Sequence, residues 1–263
     1  MTAARATTLE WVLRVGACLC FLGHGAFGAM TKEAWVPYFA VVGIGRESAY
    51  ALMPVIGAVD IAMACLVLVR PMNAALMWMT TWAIWTASLR PLAGEPFWEA
   101  LERAGNYGVP IALLFLGARR GSWRWFAWFE HRTVAAGDLV RLRRVLQVTV
   151  ALLLVGHGAL GVLGKHGLTV NLASVMSPSA AVTATPLIAW VEFGLAILAF
   201  VRVPAMLVAI ALWKVATEAL FVTAGAAIWE WVERGGSYAA PLALAIVLVM
   251  ERKEASEGPT SAS

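Results

Sequence analysis

The chain has 263 residues, of which 61% are hydrophobic and only 14% are charged. An ordinary soluble domain is about half apolar and about a quarter charged, and one soluble core of this length cannot bury so many apolar side chains. The composition therefore argues against a water-soluble enzyme. It indicates a protein embedded in a lipid bilayer, which also suits the 13 tryptophans.

Apolar runs of roughly 20 residues, the length that crosses the hydrocarbon core of a bilayer, recur along the whole chain. The first begins near Leu9, contains Arg14 and ends without a small-residue cleavage site, so we expect a retained span and not a signal peptide. The fourth and the eighth runs are short, and an amphipathic stretch precedes each. The predicted spans are 9–29, 50–69, 72–89, 103–118, 145–163, 184–201, 204–224 and 237–250.

The sequence contains an internal repeat. The segment Gly23–Gly28 (GHGAFG) returns as Gly156–Gly161 (GHGALG), and Phe97–Tyr107 returns as Ile228–Tyr238. Matched residues between these segments keep an offset of 131 to 133 positions. Self-similarity at a fixed offset is the signature of a repeated structural unit. We therefore predict an all-α membrane protein of eight transmembrane helices, built as two four-helix repeats, 1–118 and 145–250, with a linker at 119–144 and a disordered tail at 251–263.

An even number of helices in each repeat gives both repeats the same orientation in the membrane, which is the parallel case. With the N-terminus in the cytoplasm, 13 of the 20 Lys and Arg residues fall on the cytoplasmic side and six on the outer side. Because cytoplasmic loops carry the excess of positive charge, we expect both termini in the cytoplasm of a bacterial-type inner membrane.

The net charge of +4 does not predict nucleic-acid binding, because the basic residues are concentrated in the linker. Arginines alternate there with aromatic residues between 121 and 132. Beside spanning helices this pattern is typical of a segment that lies on anionic lipid headgroups at the cytoplasmic face. The linker arginines are Arg119, Arg120, Arg124, Arg132, Arg141, Arg143 and Arg144.

Ionisable side chains inside membrane spans are costly and are functional candidates by default. The two histidines lie between glycines, at matched positions of the two repeats. They predict either ligation of one haem b by both imidazoles at equal depth, or a hydrogen bond from each histidine to the carboxylate of its own repeat. The candidates near mid-span are His24, Asp60, His157, Glu192, Lys214 and Glu218.

Lys214 and Glu218 stand four residues apart, so they share one helix face and can form an ion pair. The first repeat has Ala83 and Ala87 at the matched positions. One interpretation is mutual neutralisation within the helix. The other is a protonatable pair that lines a polar cavity and handles protons for a quinone or another substrate.

The repeated Trp-Glu-x-x-Glu-Arg element lies at the predicted outer interface. Spacing of four residues predicts ion pairs along the helix. The element is either a solvated helix in the aromatic belt or a mouth of alternating charge, to which Arg90 adds an anion-attracting group. Its charged residues are Glu99, Glu102, Arg103, Glu230, Glu233 and Arg234.

The three cysteines, Cys18, Cys20 and Cys65, form no CxxC pair, so neither a disulfide framework nor a zinc site is predicted. The sequence also lacks a phosphate-binding loop and a nucleophile elbow. The candidates for chemistry are therefore all intramembrane, and no resident metal is expected apart from the haem iron of the bis-histidine interpretation.

Each repeat resembles the DoxX-like family of four-helix membrane proteins, named for a subunit of an archaeal thiosulfate:quinone oxidoreductase. The resemblance is carried by Arg14-x-Gly16-x(4)-Phe21-x-Gly23-His24-Gly25, by Pro54-x-x-Gly57-x-x-Asp60 and by Arg70-Pro71. Gly28 and Gly161 stand where the family pattern has a lysine. The resemblance implies a link to quinone-dependent oxidation or to membrane redox-defence assemblies, and in relatives to cargo handling.

The leading hypothesis from the sequence is a membrane subunit of a redox assembly with a membrane or periplasmic partner protein. It would bind a quinone, or a haem, in a polar interior between the repeats. Lys214 and Glu218 would manage protons, and His24 and His157 would contact the cofactor. The alternatives are a proton-coupled small-solute transporter, in which the same carboxylates bind the coupling ion, and a scaffold without catalytic activity.

Overall fold

The computed structural model describes residues 3–117 and 136–257 of the chain. Within these two ranges all regular elements are helices, which agrees with the predicted all-α class. We number the α-helices α1 to α12, and a short 3-10 helix at Glu33–Trp35 precedes α2. The α-helices are Ala3–Ala29 (α1), Val36–Val41 (α2), Arg46–Val69 (α3), Asn73–Leu92 (α4), Trp98–Glu102 (α5), Ala104–Gly117 (α6), Ala136–Val162 (α7), His166–Ala173 (α8), Pro178–Leu198 (α9), Pro204–Thr223 (α10), Ile228–Val232 (α11) and Gly235–Glu257 (α12).

Six segments of the described chain are long and apolar enough to cross a membrane, which indicates a multi-pass membrane protein. A seventh apolar helix, α6, has 14 residues and is shorter than a bilayer core requires. The third predicted span corresponds to α4, which is long enough at 20 residues but is not apolar enough to be counted with these six. The six segments are Ala6–Ala29, Arg46–Val69, Gly137–Val162, Pro178–Leu198, Pro204–Thr223 and Ile228–Ser256.

Two predicted boundaries are wrong. Helix α7 begins at Ala136, so the part of the predicted linker from 136 to 144 is helical and continues into the fifth predicted span. Helix α12 runs to Glu257, so the tail predicted to be disordered from 251 is helical over its first residues. Both extensions are polar, and the sequence scan ended each span where the apolar run ended. The remainder of the linker and of the tail lies outside the described residues.

The helices form an inner group and an outer group. In the inner group, α1, α6, α7 and α12 contact one another and supply most of the apolar core, including the fully buried Leu13, Leu113, Leu146 and Leu244. Each outer helix packs on one inner helix, α3 on α1, α4 on α6, α9 on α7 and α10 on α12. The outer helices α3, α9 and α10 expose large apolar side chains, as helices that face lipid do.

Contacts between residues 3–117 and residues 136–257 come in matched pairs. Gly23 lies against the backbone of Glu233, and Gly156 lies in the same way against the backbone of Glu102. A methyl group at either glycine would collide with that backbone, so only glycine permits the approach. The contacts between helices are matched in the same way. Helix α1 contacts α12, and helix α7 contacts α6.

Arg14 stabilises the end of α3, where the last carbonyl groups of a helix lack intrahelical partners. Its guanidinium is buried and donates hydrogen bonds to the carbonyl oxygens of Val67, Leu68 and Val69. At the matched position of α7, Gln147 donates to the carbonyl oxygen of Ala199, just after α9, at 3.4 Å. The motif arginine therefore joins the first long helix to the end of the second.

Glycines end α4 and α10, the helices that carry Arg90, Lys214 and Glu218. Gly94 follows α4 with φ +96°, and Gly225 follows α10 with φ +90°. A side chain is disfavoured in this left-handed region, so glycine ends the helix at a low conformational cost. The two turns bring α5 and α11, with their charged residues, back over the ends of the long helices.

Candidate functional site

A histidine–carboxylate pair links neighbouring helices in each half of the molecule. His24 Nδ1 lies 2.7 Å from Asp60 Oδ2, and His157 Nδ1 lies 2.5 Å from Glu192 Oε2. The first pair joins α1 to α3, and the second joins α7 to α9. Of the two arrangements expected for the histidines, the structure therefore contains the hydrogen bond within each repeat. Nε2 of each ring is left for another partner.

The two histidines line different cavities. His24 lines a cavity of about 210 Å³, whereas His157 lines one of about 30 Å³. A haem ligated by both imidazoles would need a single cavity that reaches both rings. The separate cavities therefore give no support to the bis-histidine haem hypothesis.

In the second half, the carboxylate of Glu192 is fully paired. Besides His157, it accepts hydrogen bonds at Oε1 from Trp213 Nε1, at 3.1 Å, and from Lys214 Nζ, at 3.3 Å. Lys214 also forms an ion pair with Glu218 at 2.8 Å, which confirms the pairing predicted from their spacing. Glu192, Lys214 and Glu218 are at most 2% exposed, so the cluster is closed to solvent.

Arg234 connects this cluster to the rest of the molecule. Its guanidinium lies 2.7 Å from Glu218, 3.0 Å from Glu230 and 3.2 Å from Glu233. It also approaches Glu102 of the first half at 3.9 Å. One arginine therefore compensates carboxylates from α10, from α11 and its C-cap, and from α5 of the first half.

The same charged residues pair across the two halves in a reciprocal way. Lys32 of the first half pairs with Glu230 of the second at 2.5 Å, and Lys165 of the second half pairs with Glu99 of the first at 2.6 Å. Lys32 and Lys165 are matched positions of the repeat, as are Glu99 and Glu230. Each half therefore supplies the cation for an anion of the other half.

Glu99 is the centre of the first-half charges. It pairs with Arg103 at 3.0 Å, as the spacing predicted, and lies 3.8 Å from Arg90, which also pairs with Glu95 at 3.1 Å. Together these contacts form one ionic network, which we define as Lys32, Arg90, Glu95, Glu99, Glu102, Arg103, Lys165, Glu192, Lys214, Glu218, Glu230, Glu233 and Arg234.

The predicted solvated belt helix is wrong for the Trp-Glu-x-x-Glu-Arg elements. Glu99 is only 3% exposed and Arg234 only 8% exposed, because α5 packs against α7 and α11 against α1. Burial by itself raises the pKa of Glu102, but the nearby cations of Lys165, Arg103 and Arg234 hold it well below its usual range. Charge compensation therefore keeps the buried carboxylate ionised.

The large cavity lies almost entirely in the first half. Its walls come from α1, α2, α3, α4 and the start of α6, and among the described residues of the second half only Glu233 lines it. The wall is mainly apolar and aromatic, with a few polar side chains, which is the usual composition of a small-molecule site. The aromatic lining residues are Phe21, Trp35, Tyr38, Phe39, Trp82 and Trp85, and the polar ones are His24, Thr86, Arg90, Arg103, Asn106 and Glu233.

Among the fully buried polar atoms without a hydrogen-bond partner in the described residues, one belongs to Trp82, which lines this cavity, and one to Asp60, which does not. They are Oδ1 of Asp60 and the indole Nε1 of Trp82. At the matched positions, Trp213 donates directly to Glu192. Aspartate is one methylene shorter than glutamate, and Ala83, which lines the cavity, replaces Lys214. The first half therefore retains an acceptor and a donor that its own side chains do not satisfy.

Tyr38 and Arg90 form the polar rim of the cavity. The phenol of Tyr38 donates to Glu95 and accepts a hydrogen bond from Arg90 at 2.8 Å. Burial raises the pKa of Tyr38 to about 12, with the Arg90 cation acting in the opposite direction. The phenol is therefore neutral at physiological pH. Arg90, which was predicted to lie at an outer mouth, lines this cavity.

Sequence reasoning did not select Lys32, Lys165, Trp35, Tyr38 or Trp82 as site residues. A signal was present for three of them, because Lys32 and Lys165 occupy matched positions and Trp82 matches Trp213. For Trp35 and Tyr38 the sequence carries no comparable signal. Trp35 is brought to the site by its stacking on the His24 ring, at a centroid distance of 4.4 Å.

Comparison of the chain with protein-family models, with curated proteins and with solved structures found no match. The resemblance to the DoxX-like family therefore rests on the short motifs of the sequence and stays a prediction. Function has to be argued from the two halves of the molecule themselves.

Proposed function

We propose that this protein is a membrane subunit of a quinone-linked redox assembly and that it binds the quinone ring in the first-half cavity. The observation that carries the proposal is an aromatic-walled cavity lined by His24, whose imidazole is hydrogen-bonded to Asp60. A quinone offers an apolar ring for these walls and carbonyl oxygens that accept hydrogen bonds.

The size of the cavity favours one ring. Sites for drug-sized ligands have volumes of roughly 300 to 1,000 Å³, and about 210 Å³ is below that range. A single substituted ring is compatible with this volume, whereas a macrocycle is not. The apolar tail of a quinone would leave through the outer surface near Leu52 and Trp85, which line the cavity and are both exposed on lipid-facing helices.

His24 and Asp60 suit proton exchange with such a ligand. Conversion between quinone and hydroquinone moves two protons and two electrons. A histidine whose Nδ1 bonds a carboxylate can hold a proton or release it at Nε2. We propose that the electrons pass to or from a partner protein and that His24, with Asp60, exchanges the protons with the ligand.

For the second-half residues we propose a role other than the proton transfer that the sequence suggested. Lys214, Glu218, Glu192 and His157 pair with one another, Arg234 pairs with the second oxygen of Glu218, and the cavity beside His157 is only about 30 Å³. We propose that they hold the second half together and do not contact the quinone.

We also propose that the chain is a tandem duplication of a DoxX-like unit with eight crossings of the inner membrane and with both termini in the cytoplasm. Gly23 and Gly156 make matched contacts, and so do Lys32 and Lys165, which supports the duplication. The distribution of Lys and Arg supports the orientation. Cysteine labelling from each side of sealed vesicles, at positions in the loops and termini, tests both.

The test of quinone binding uses protein purified in mild detergent. Lipids are extracted and analysed by mass spectrometry, and binding of a short-chain benzoquinone is followed by quenching of tryptophan fluorescence. Trp82→Phe removes the indole N–H and one of the two rings of the side chain from the cavity wall, and should weaken binding by about tenfold. The matched Trp213→Phe should leave binding unchanged. Intact protein that neither retains nor binds a quinone would contradict the proposal and favour the scaffold hypothesis.

A further inference from the structure

A short segment between α1 and α3 covers one side of the first-half cavity. We infer that residues 32–42, which we call the lid, form a hinged cover, and that opening of the lid connects the cavity to the aqueous surface at this end of the helix bundle. This access route goes beyond the proposed function and does not depend on which ligand the cavity binds. The lid residues that line the cavity are Trp35, Tyr38, Phe39 and Val42.

The lid is held by few buried side chains. Of residues 32–42, all of which the structure describes, only Trp35 is buried. The corresponding helix of the second half, α8, buries Leu168, Asn171 and Leu172. An element with few buried contacts opens at a low cost in free energy. The cover of the first-half cavity should therefore open more readily than its counterpart in the second half.

Both ends of the lid have a backbone conformation that suits a hinge. Thr31, just before the lid, has φ +52°, and Gly43, just after it, has φ +77°. The left-handed region disfavours a β-branched residue, so Thr31 is strained. At the matched position the second half has Gly164, with φ +70°, which adopts this conformation without that strain. The closed lid of the first half therefore stores strain that movement about Thr31 would release.

Two contacts hold the lid closed. The phenol of Tyr38 donates a hydrogen bond to Glu95 and accepts one from Arg90 at 2.8 Å. The ring of Trp35 stacks on the ring of His24 at a centroid distance of 4.4 Å. Opening would break the hydrogen bonds of the phenol and uncover the His24 ring, which lines the cavity.

The outer side of the lid faces water. Glu33 of the lid pairs with Arg46 at 2.7 Å, and their side chains are 72% and 63% exposed. Charged groups with this exposure are costly in lipid, so they mark an aqueous surface. An open lid would therefore admit water and small polar solutes to the cavity, whereas the exposed Leu52 and Trp85 mark its lipid side.

The thiol of Cys20 can report the opening of the lid, because Cys20 lines the cavity and is only 4% exposed. Cys18→Ala and Cys65→Ala leave it as the only thiol of the chain. The full-length protein is placed in lipid nanodiscs and treated with sulfonatoethyl methanethiosulfonate, a charged reagent that does not enter lipid. Mass spectrometry then gives the rate at which Cys20 is modified.

Two variants should change this rate in opposite directions. Tyr38→Phe keeps the ring but removes the phenol, and it should raise the rate at least about tenfold, the factor for a hydrogen bond to a charged group. Thr31→Gly relieves the strain of the closed lid and should lower the rate about fivefold. The matched control Tyr50→Phe removes a hydrogen bond with Arg46 outside the lid and should leave the rate unchanged.

Three results would overturn the inference. These are equal rates for the parent, Tyr38→Phe and Thr31→Gly, modification of the folded parent as fast as in denaturant, and no modification of Tyr38→Phe. Partial unfolding would raise the rate, so the slower reaction of Thr31→Gly separates lid movement from loss of structure. The assay contains no quinone, so failure of quinone binding would overturn the proposed function and leave the lid in place.

Discussion

The two halves of this molecule have matched helices, but the buried carboxylates at the matched positions Asp60 and Glu192 have different surroundings. In the second half, Glu192 is enclosed by His157, Trp213 and Lys214. In the first half, Asp60 bonds His24, which lines a cavity of about 210 Å³, whereas His157 of the second half lines one of about 30 Å³. The loss of one methylene group and of one lysine side chain distinguishes an open site from a closed one.

This difference separates a half whose buried charges are paired internally from a half that contains a cavity. Removing one partner of a buried ion pair leaves an uncompensated charge, which is strongly destabilising. The second half avoids this by internal pairing, which leaves no room for a ligand. In the first half, the hydrogen bond shown for the buried carboxylate of Asp60 is to His24.

The largest effect is expected at Arg234, which compensates four carboxylates. Arg234→Met should lower the free energy of unfolding by about 3–5 kcal/mol, the range for breaking a buried pair, as measured by denaturant titration in detergent micelles. The matched Arg103→Met should cost less, because Arg103 compensates only Glu99 and Glu102. An equal or larger loss of unfolding free energy for Arg103→Met would contradict this prediction.

Lys214 should be the next most sensitive position. Lys214→Met leaves Glu192 and Glu218 without their shared cation, and we expect a loss of about 3 kcal/mol in the same unfolding assay. The double variant Lys214→Met with Glu218→Gln should recover part of that loss, because one of the two uncompensated charges has been removed. A double variant that is less stable than the single variant would show that the ammonium group contributes mainly by packing.

Ala83→Lys transfers the second-half arrangement to the first half. The new ammonium group should reach Asp60 and fill part of the cavity, so that quinone or hydroquinone binding falls by more than about tenfold, while the unfolding free energy changes little. Fluorescence titration and denaturant unfolding measure the two effects separately. Ala83→Leu, which fills space without adding a charge, is the matched control. Unchanged ligand binding in the lysine variant would place the ligand elsewhere.

A smaller effect is expected from the pH dependence of Glu102. Its pKa in the folded protein lies well below the ordinary value of 4.5 because of its cationic neighbours. The stabilisation that this carboxylate contributes is therefore fully present above about pH 4.5 and is lost as the pH falls further towards its folded pKa. Unfolding of the parent protein and of Glu102→Gln should converge on acidification. Glu33→Gln, which disrupts an exposed ion pair with Arg46, should leave stability unchanged at every pH.

Local sequence spacing was sufficient to predict part of the site. Helical geometry places residues four apart on one face, and the pairs Lys214 with Glu218 and Glu99 with Arg103 follow from it. The repeat identified His24 and Asp60 as matched to His157 and Glu192. These predictions needed only the helix period and the comparison of one half with the other.

Contacts between distant segments could not be predicted in this way. The pairing of Lys32 with Glu230 joins residues 198 positions apart, and no local pattern indicates that α11 packs on α1. The cavity was expected between the repeats, but it lies within the first half because α2 brings Tyr38 over the space that Ala83 leaves open. Such features depend on how helices pack, and hydropathy and spacing do not determine packing.

The reciprocal lysine–glutamate pairs have a consequence for the biogenesis of the protein. Translation proceeds from the N-terminus, so Lys32 and Glu99 reach the membrane before Glu230 and Lys165 have been synthesised. Glu99 already has Arg90 and Arg103 beside it in the first half, whereas the carboxylate that pairs with Lys32 lies in α11 and is synthesised late. A nascent chain that stops short of α11 would therefore leave Lys32 without that carboxylate.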